Sequence, residues 1–229
     1  MTYAKAGLVE STVPARLGQV FTLLLGFEVF LIGMYWLMTV TGSWTLSRWF
    51  DLDAELTVAS WFAASQLLAV GLLMLAASPF SERKNWPTPL FCQIVGLGFV
   101  FLSMDEAAMI HERITAIGRD QAWVPRFNDT HGSWIFLYAL IGAALAAFTW
   151  RNLMTMLVHH RQTALLMGGG FALLVAGAVG VEVMGYYGLF GSPPLQVALE
   201  EFLEMLGVTV MLMGALTFFN RTVALRPAD

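Results

Sequence analysis

A dense group of ionisable residues follows the third long apolar run of the sequence, in the stretch FLSMDEAAMIHER that ends at Arg113. This stretch contains Asp105, Glu106, His111 and Glu112 where the surrounding hydropathy is that of a membrane helix. Ionisable side chains inside a membrane segment are costly, and they usually mark an ion pathway, a proton relay or a ligand site. The stretch therefore predicts a functional site.

Carboxylates beside a neutral imidazole are typical ligands of iron, manganese and zinc. Several buried carboxylates must share protons, pair with cations or bind a metal ion, because burying like charges together is unfavourable. The arginines near this stretch and in the loops on the same side are too few to neutralise a large group of acids: Arg48, Arg113, Arg119 and Arg126. A divalent metal ion is the expected counter-charge.

The elements that must position these residues are membrane helices. Of the 229 residues, 58% are hydrophobic and 12% are charged, whereas a typical soluble domain has about 25% charged residues. Six apolar runs approach the ~20 residues that cross a hydrocarbon core. They cover residues 17–41, 56–79, 88–114, 133–150, 164–190 and 195–220. The sequence predicts an all-α integral membrane protein, with one six-helix transmembrane domain over residues 1–229.

The distribution of Lys and Arg predicts the orientation of this bundle. The connections on one side carry Lys5, Arg16, Arg83, Lys84, Arg151, Arg161, Arg221 and Arg226, and those on the other side carry the four arginines named above. Because cytoplasmic loops are enriched in Lys and Arg, both termini are predicted to be cytoplasmic. The expected location is the inner membrane of a bacterium.

Three of the six runs bring acids to one depth, near the predicted outer boundary of the membrane. The third run contributes the stretch above, the fifth contributes GVEVMGYYG, and the sixth contributes ALEEFLEMLG. At ~100° per residue, Asp105 and Glu112 share one stripe of a continuous helix, and Glu201 and Glu204 are neighbours three residues apart. The predicted metal ligands are Asp105, Glu106, His111, Glu112, Glu182, Glu200, Glu201 and Glu204. For Glu112, Glu200 and Glu182, a solvated helix end is the alternative interpretation. For His111, the alternative is an interfacial histidine that is hydrogen-bonded to a neighbouring acid.

A second polar set, Glu28, Gln66 and Gln93, is predicted at mid-depth. An acid in this position is a candidate functional residue, and a protonated glutamic acid bonded to a glutamine is the simpler alternative. If the outer acids lead to Glu28, the chain could translocate protons or cations.

Other residues near the helix ends carry simpler predictions. His131 could join the outer site, whereas His159 and His160 are expected to face lipid headgroups on the cytoplasmic side. Trp134 and Tyr186 are predicted to be interfacial anchors. The glycines of the fifth run are expected to allow close helix packing: Gly168, Gly169, Gly170, Gly177, Gly180, Gly185 and Gly188.

The leading hypothesis is a membrane protein that binds iron, manganese or zinc near the periplasmic face. As an enzyme it would be an oxidoreductase or hydrolase of a lipid or periplasmic substrate, with the metal activating water or dioxygen. The alternatives are a proton- or cation-translocating protein and a non-catalytic subunit of a larger membrane complex. The lipid bilayer is an expected partner, other membrane proteins are possible partners, and no Lys/Arg cluster points to nucleic acid.

Overall fold

The computed structural model describes residues 3–82, 85–128 and 131–224, with side chains from residue 16 onward. The charges of Arg83, Lys84 and Arg226, and the side chain of Lys5, used above for the orientation, lie outside this part. The α-helices are α1 Tyr3–Thr41, α2 Trp44–Phe50, α3 Val58–Ala77, α4 Pro89–Ala108, α5 Ile110–Gly118, α6 Ser133–His159, α7 Arg161–Val175, α8 Glu182–Tyr186 and α9 Pro193–Ala224.

Six helical segments of the described residues are long and apolar enough to cross a membrane. They are Arg16–Thr41, Val58–Phe80, Pro89–Ala108, Ser133–His159, Arg161–Tyr186 and Pro193–Ala224. This result confirms the predicted helical class and the number of long apolar helices, and it is compatible with a multi-pass membrane protein. The third segment ends at Ala108, before the predicted boundary at residue 114.

Contacts between helix ends show that successive long helices run in opposite directions. At one end, the Asn128 side-chain amide donates a hydrogen bond to the Tyr186 carbonyl at 2.9 Å. At the other end, His160 Nε2 lies 3.2 Å from the Asn85 carbonyl oxygen. We call the first end the acidic end; it contains Thr41, Val58, Ala108, Ser133, Tyr186 and Pro193. The opposite end is the basic end.

Helix α9 lies at the centre of the bundle, where it packs against α1, α3 and α7. Its buried face is apolar and includes Met205, Val208, Met211, Ala215 and Phe218. Helices α3 and α4 form a second close pair, whereas α6 packs on α5 and α7 and is exposed along most of its length. The acids near the start of α9 therefore lie within the bundle rather than at its margin.

The glycine prediction holds for three of the seven positions in the fifth run. A Cβ atom at Gly170 would lie 2.5 Å from the carbonyl oxygen of Gly207, so α7 and α9 approach backbone to backbone. Gly177 also packs against the α9 backbone, and Gly185 packs against the Gln196 side chain. A Cβ atom at the other four would meet no neighbour within 4 Å: Gly168, Gly169, Gly180 and Gly188.

Two irregular residues separate neighbouring helices. Met109 adopts φ 52° and ψ 44°, a left-handed conformation that ends α4 before α5 begins. The predicted single stripe through Asp105 and Glu112 is therefore wrong, because these residues belong to different helices. His160 separates α6 from α7, and it is 6% exposed and packed beside Trp86. The prediction that His160 faces lipid headgroups is wrong for this reason.

Candidate functional site

The centre of the candidate site is a hydrogen-bonded pair of Asp105 and His111. Asp105 lies in the last turn of α4 and is 6% exposed. Its Oδ1 accepts the backbone N–H of His111 at 2.7 Å and lies 3.3 Å from His111 Nδ1. The left-handed Met109 makes this possible, because it turns the start of α5 back onto the end of α4. The pair occupies His111 Nδ1 and leaves Nε2 for another partner.

The acids around His111 favour its charged form. Burial by itself disfavours the imidazolium ion. The hydrogen bond that His111 donates to Asp105 and the charges of Asp105, Glu106 and Glu182 outweigh this effect, so the pKa of His111 is raised above its usual value. The ring therefore lies where the three carboxylates favour a positive charge, which a proton on the ring or a bound cation would supply.

Helix α6 covers the pair with aromatic side chains. The His111 and Trp134 rings lie 5.3 Å apart, and Tyr138 packs edge-on against Trp134 at 5.2 Å. Two buried hydroxyl groups nearby, Thr115 Oγ1 and Ser133 Oγ, have no hydrogen-bond partner among the described residues, and unpaired buried donors are costly. The buried donors of Trp134 and Tyr138 interact with the carboxylates of Glu182 and Asp105. Trp134, predicted as an interfacial anchor, is therefore a wall of the site.

Glu182 reaches the site from the start of α8. A π-helical segment, Ala176–Val181, precedes it, and such segments are frequent at functional sites. The Tyr186 hydroxyl donates a hydrogen bond to Glu182 one turn further along. The His131 ring stacks on Tyr186 with a centroid distance of 4.7 Å, so His131 touches the edge of the site.

Helix α9 contributes Glu200, Glu201 and Glu204, all partly buried. Gly177 allows α9 to pack closely against the π-helical segment. A Cβ atom at Gly177 would lie 2.7 Å from the Glu200 carbonyl oxygen and 2.8 Å from Glu204 Cγ. The charges of Glu201 and Glu204 both interact with that of Glu106 on α4. The acids of α9 and Glu106 of α4 therefore influence one another's charge at the acidic end.

Sequence reasoning missed two acids, Asp53 and Glu55, in the connection between α2 and α3. Both interact electrostatically with Glu201. Burial and the charges of Glu112 and Asp105 raise the pKa of Glu55, although His111 acts in the opposite direction. The segment DLDAEL lies on the side of the bundle where the other acids were predicted. This position in a connection on the acidic side is the sequence signal that marks Asp53 and Glu55.

All eight predicted ligands lie at the acidic end, but they are not equivalent. Asp105 is buried against His111, whereas Glu112 is exposed. Arg48 and Arg113 are exposed and form no ion pair within the described residues; Arg48 instead lies over the Trp44 ring. In the described part of the chain, no three His, Cys, Asp or Glu side chains are arranged to hold a metal ion. The acids thus lie at the same end of the bundle, but the described side chains do not form a metal-binding site.

Comparison with known protein families gives one match, over residues 20–219, to a family described as "Domain of unknown function (DUF8692)". The chain belongs to the DUF8692 family. No curated protein and no solved structure matches it significantly. The matched segment of this DUF8692 protein contains every acid of the site, so the function has to be argued from their geometry.

An open cleft of about 500 Å³ lies beside the acids of the DUF8692 chain. The end of α1, helix α2 and the start of α9 form its walls, which include Tyr35, Asp51, Asp53 and Pro194. The charge of Asp53 interacts with those of Glu200 and Glu201. The cleft is therefore lined by one of the acids, Asp53, whose charge interacts with the acids of α9.

The predicted mid-depth set of the DUF8692 protein is present only in part. Glu28 is fully buried, and the Thr209 hydroxyl donates a hydrogen bond to its Oε1 at 2.5 Å. Gln66 Nε2 donates to the same hydroxyl oxygen at 2.5 Å. Gln93 is exposed on α4, so it does not belong to this set.

Proposed function

We propose that this protein binds a divalent metal ion at the acidic end, with His111 as the nitrogen ligand. The observation that carries the proposal is the contact of 3.3 Å between Asp105 Oδ1 and His111 Nδ1. Metal-binding histidines almost always use their second ring nitrogen to bond a carboxylate or carbonyl, which orients the ring. Asp105 has this supporting position, and His111 Nε2 is the proposed ligand atom.

The charge balance of the site supports a cation. Glu106, Glu182 and Asp105 surround His111, and the acids of α9 interact with Glu106. Several carboxylates that share one partly buried region repel one another unless they bind protons or a cation. A divalent ion would offset two of these charges at once.

The carboxylate ligands that we propose are Glu106, Glu182 and Glu204. Glu106 and Glu182 both interact electrostatically with His111, and Glu204 interacts with both of them. Since the described side chains do not form a ligand set, binding requires these carboxylates to rotate towards His111 Nε2. Glutamate side chains can change their rotamers to do so. Glu112, Glu200 and Glu201 are proposed as outer ligands or proton acceptors.

A His and carboxylate set of this kind suits iron, manganese or zinc. A metal ion in this position would lower the pKa of a bound water or activate dioxygen, and a spare carboxylate would act as the general base. We therefore propose a metal-dependent hydrolase or oxidoreductase. Its substrate would be a membrane lipid or a periplasmic compound, which reaches the site at the end of the bundle.

Metal titration of the purified, chelator-treated protein tests the proposal. Isothermal titration calorimetry with Mn²⁺ and Zn²⁺ should detect binding to the wild type. His111→Ala and Glu204→Gln should each lose most of the affinity, because each removes a proposed ligand. Asp120→Asn is the matched control, since Asp120 is an exposed acid in the connection after α5. No binding of either ion to folded wild-type protein would refute the proposal.

We also propose that the acidic end faces the periplasm of a bacterial cell and that both termini are cytoplasmic. The support is the excess of Lys and Arg in the connections of the basic end, eight against four. In this orientation the cleft beside α2 opens to the periplasm.

A further inference from the structure

The hydrogen-bonded chain of Glu28, Thr209 and Gln66 is separate from the acidic end. It links α1, α9 and α3 inside the spanning segments, and none of the three residues is more than 4% exposed. Thr209 follows Glu204 by five residues, which places it about 7.5 Å further into the bundle along α9. The outer acids and this chain are thus two distinct polar sites.

Two atoms of this hydrogen-bonded set, Glu28 Oε2 and Gln66 Oε1, are buried without a hydrogen-bond partner. The Thr209 hydroxyl is already used twice, because it donates to Glu28 and accepts from Gln66. Both unpaired atoms are oxygens, and both can only accept a hydrogen bond or bind a cation unless the carboxyl is protonated. The group that would complete the site is therefore a proton or another cation.

The charged groups around Glu28 limit the charge of the cation that could bind there. Helix α3 carries no ionisable residue. On α9 the nearest ionisable residue is Glu204, and on α1 it is Tyr35, two turns from Glu28. One carboxylate in apolar surroundings is neutralised by one monovalent cation, whereas a divalent ion would leave a net charge.

The available space distinguishes a proton from a metal cation. Glu28 and Thr209 have no exposed surface, and Gln66 has 4%. A sodium ion would need several oxygen ligands, but among these three side chains the Thr209 oxygen is engaged and only Glu28 Oε2 and Gln66 Oε1 are free. A proton needs no cavity. On Glu28 Oε2 it would turn that oxygen into a donor, and the unpaired Gln66 Oε1 is an acceptor on the amide whose Nε2 bonds the same threonine.

We propose that Glu28, Gln66 and Thr209 form a proton-binding site, in which an exchangeable proton on Glu28 holds α1 against α3 and α9. Loss of the proton would leave an uncompensated carboxylate and unpaired oxygens between the three helices. The site would therefore release α1 when the pH becomes alkaline. This inference does not depend on the metal site, and it adds a second ligand, the proton, at a different depth.

Infrared spectroscopy of the whole protein in nanodiscs tests the proposal, because a protonated carboxyl group has a carbonyl band distinct from that of a carboxylate. The difference spectrum between wild type and Glu28→Gln at neutral pH should contain this band. The band should shift in D₂O, because the proton exchanges, and it should disappear reversibly at alkaline pH. Thr209→Val should move the band without removing it, because Glu28 then loses one hydrogen bond.

Three results would overturn the proposal. A carboxylate band in the same difference spectrum at neutral pH would show that Glu28 is ionised. A band that sodium chloride removes, but choline chloride does not, would show that the site binds sodium. A band that never shifts in D₂O or with pH would show a trapped proton without exchange. If Glu28→Gln does not fold, ¹³C-labelled glutamate in the wild type and in Thr209→Val identifies the same band.

Discussion

At the scale of single residues, Asp105 has a different position from the other acids of the acidic end. It was predicted as a ligand, but it is buried and its Oδ1 is bonded to the His111 backbone and lies beside the His111 ring. A carboxylate in this position orients a histidine instead of binding the ion itself. The contribution of Asp105 to the proposed function is therefore positional.

Replacing Asp105 with Asn should weaken metal binding without abolishing it. Loss of a carboxylate that orients a metal-binding histidine typically costs 10–100-fold in affinity. We expect Asp105→Asn to raise the dissociation constant for Mn²⁺ by about this factor, as measured by calorimetry, and His111→Ala to cost more. An affinity for Asp105→Asn equal to that of the control Asp120→Asn would contradict this role.

His160 gives the molecule a pH-dependent stability at the basic end. Burial lowers the pKa of His160, the nearby charges of Arg221 and His159 lower it further, and the bond with the Asn85 carbonyl opposes them. Because the folded state holds the neutral form, its contribution to stability is complete above the ordinary pKa of about 6.5 and is lost as the pH falls below it.

We therefore expect the thermal unfolding temperature of the wild type in detergent to fall between about pH 7 and about pH 5. His160→Gln should reduce the slope of this fall, although it lowers stability at neutral pH. His159→Gln is the matched control, because His159 is the exposed neighbour. Equal slopes for wild type and His160→Gln would show that another group causes the pH dependence.

At the scale of helices, the break at Met109 determines where the His and the acids meet. A residue other than glycine in the left-handed region costs roughly 1–2 kcal/mol. This conformation brings His111 to Asp105 rather than continuing α4 outward. The strain is thus located next to the candidate site, as is common for functional sites.

Glycine substitutions at two methionines should separate this strain from ordinary helix propensity. Met109→Gly should be neutral or stabilising, because glycine adopts the left-handed conformation without steric cost. Met104→Gly, in the penultimate turn of α4, is the control, and it should destabilise by about 1 kcal/mol. Thermal unfolding in detergent compares the two variants. A lower unfolding temperature for Met109→Gly than for Met104→Gly would contradict the account.

The contact between the π-helical segment and α9 should be sensitive to an added methyl group at Gly177. Gly177→Ala would place Cβ 2.7 Å from the Glu200 carbonyl oxygen, so the two helices must move apart. We expect a loss of about 1–3 kcal/mol in stability and weaker metal binding, because Glu204 moves from Glu182. Gly180→Ala, in the same segment but with no atom within 4 Å, should leave metal binding unchanged and should not lower stability. Equal behaviour of the two variants would refute the close contact.

At the scale of the whole molecule, the acidic end is predicted to be periplasmic, and the single cysteine makes this testable. Cys92 is fully buried, so the wild type should not react with a maleimide that cannot cross the membrane. Added cysteines at two exposed positions, Ala122→Cys at the acidic end and Glu82→Cys at the basic end, should differ in intact spheroplasts. Labelling of Ala122→Cys alone is expected. Labelling of Glu82→Cys alone would show the opposite orientation.

The number of long apolar helices and the shared depth of the acids could be predicted from the sequence. Both follow from hydropathy and length, which do not depend on tertiary packing. The break at Met109 could not be predicted, because methionine is a good helix former and neither Gly nor Pro marks the position. The burial of His160 and the position of Trp134 beside His111 depend on contacts between distant helices. Such contacts are not contained in the pattern of a single segment.

A divalent metal ion bound at the acidic end should be found in the metal content of the purified protein. Inductively coupled plasma mass spectrometry should find about one or two equivalents of iron, manganese or zinc in the wild type. The Glu106→Gln/Glu204→Gln double variant should have lost the metal, whereas Asp120→Asn should retain it, with equal helix content by circular dichroism. Folded wild-type protein that contains no metal, and takes up none on addition, would contradict the claim.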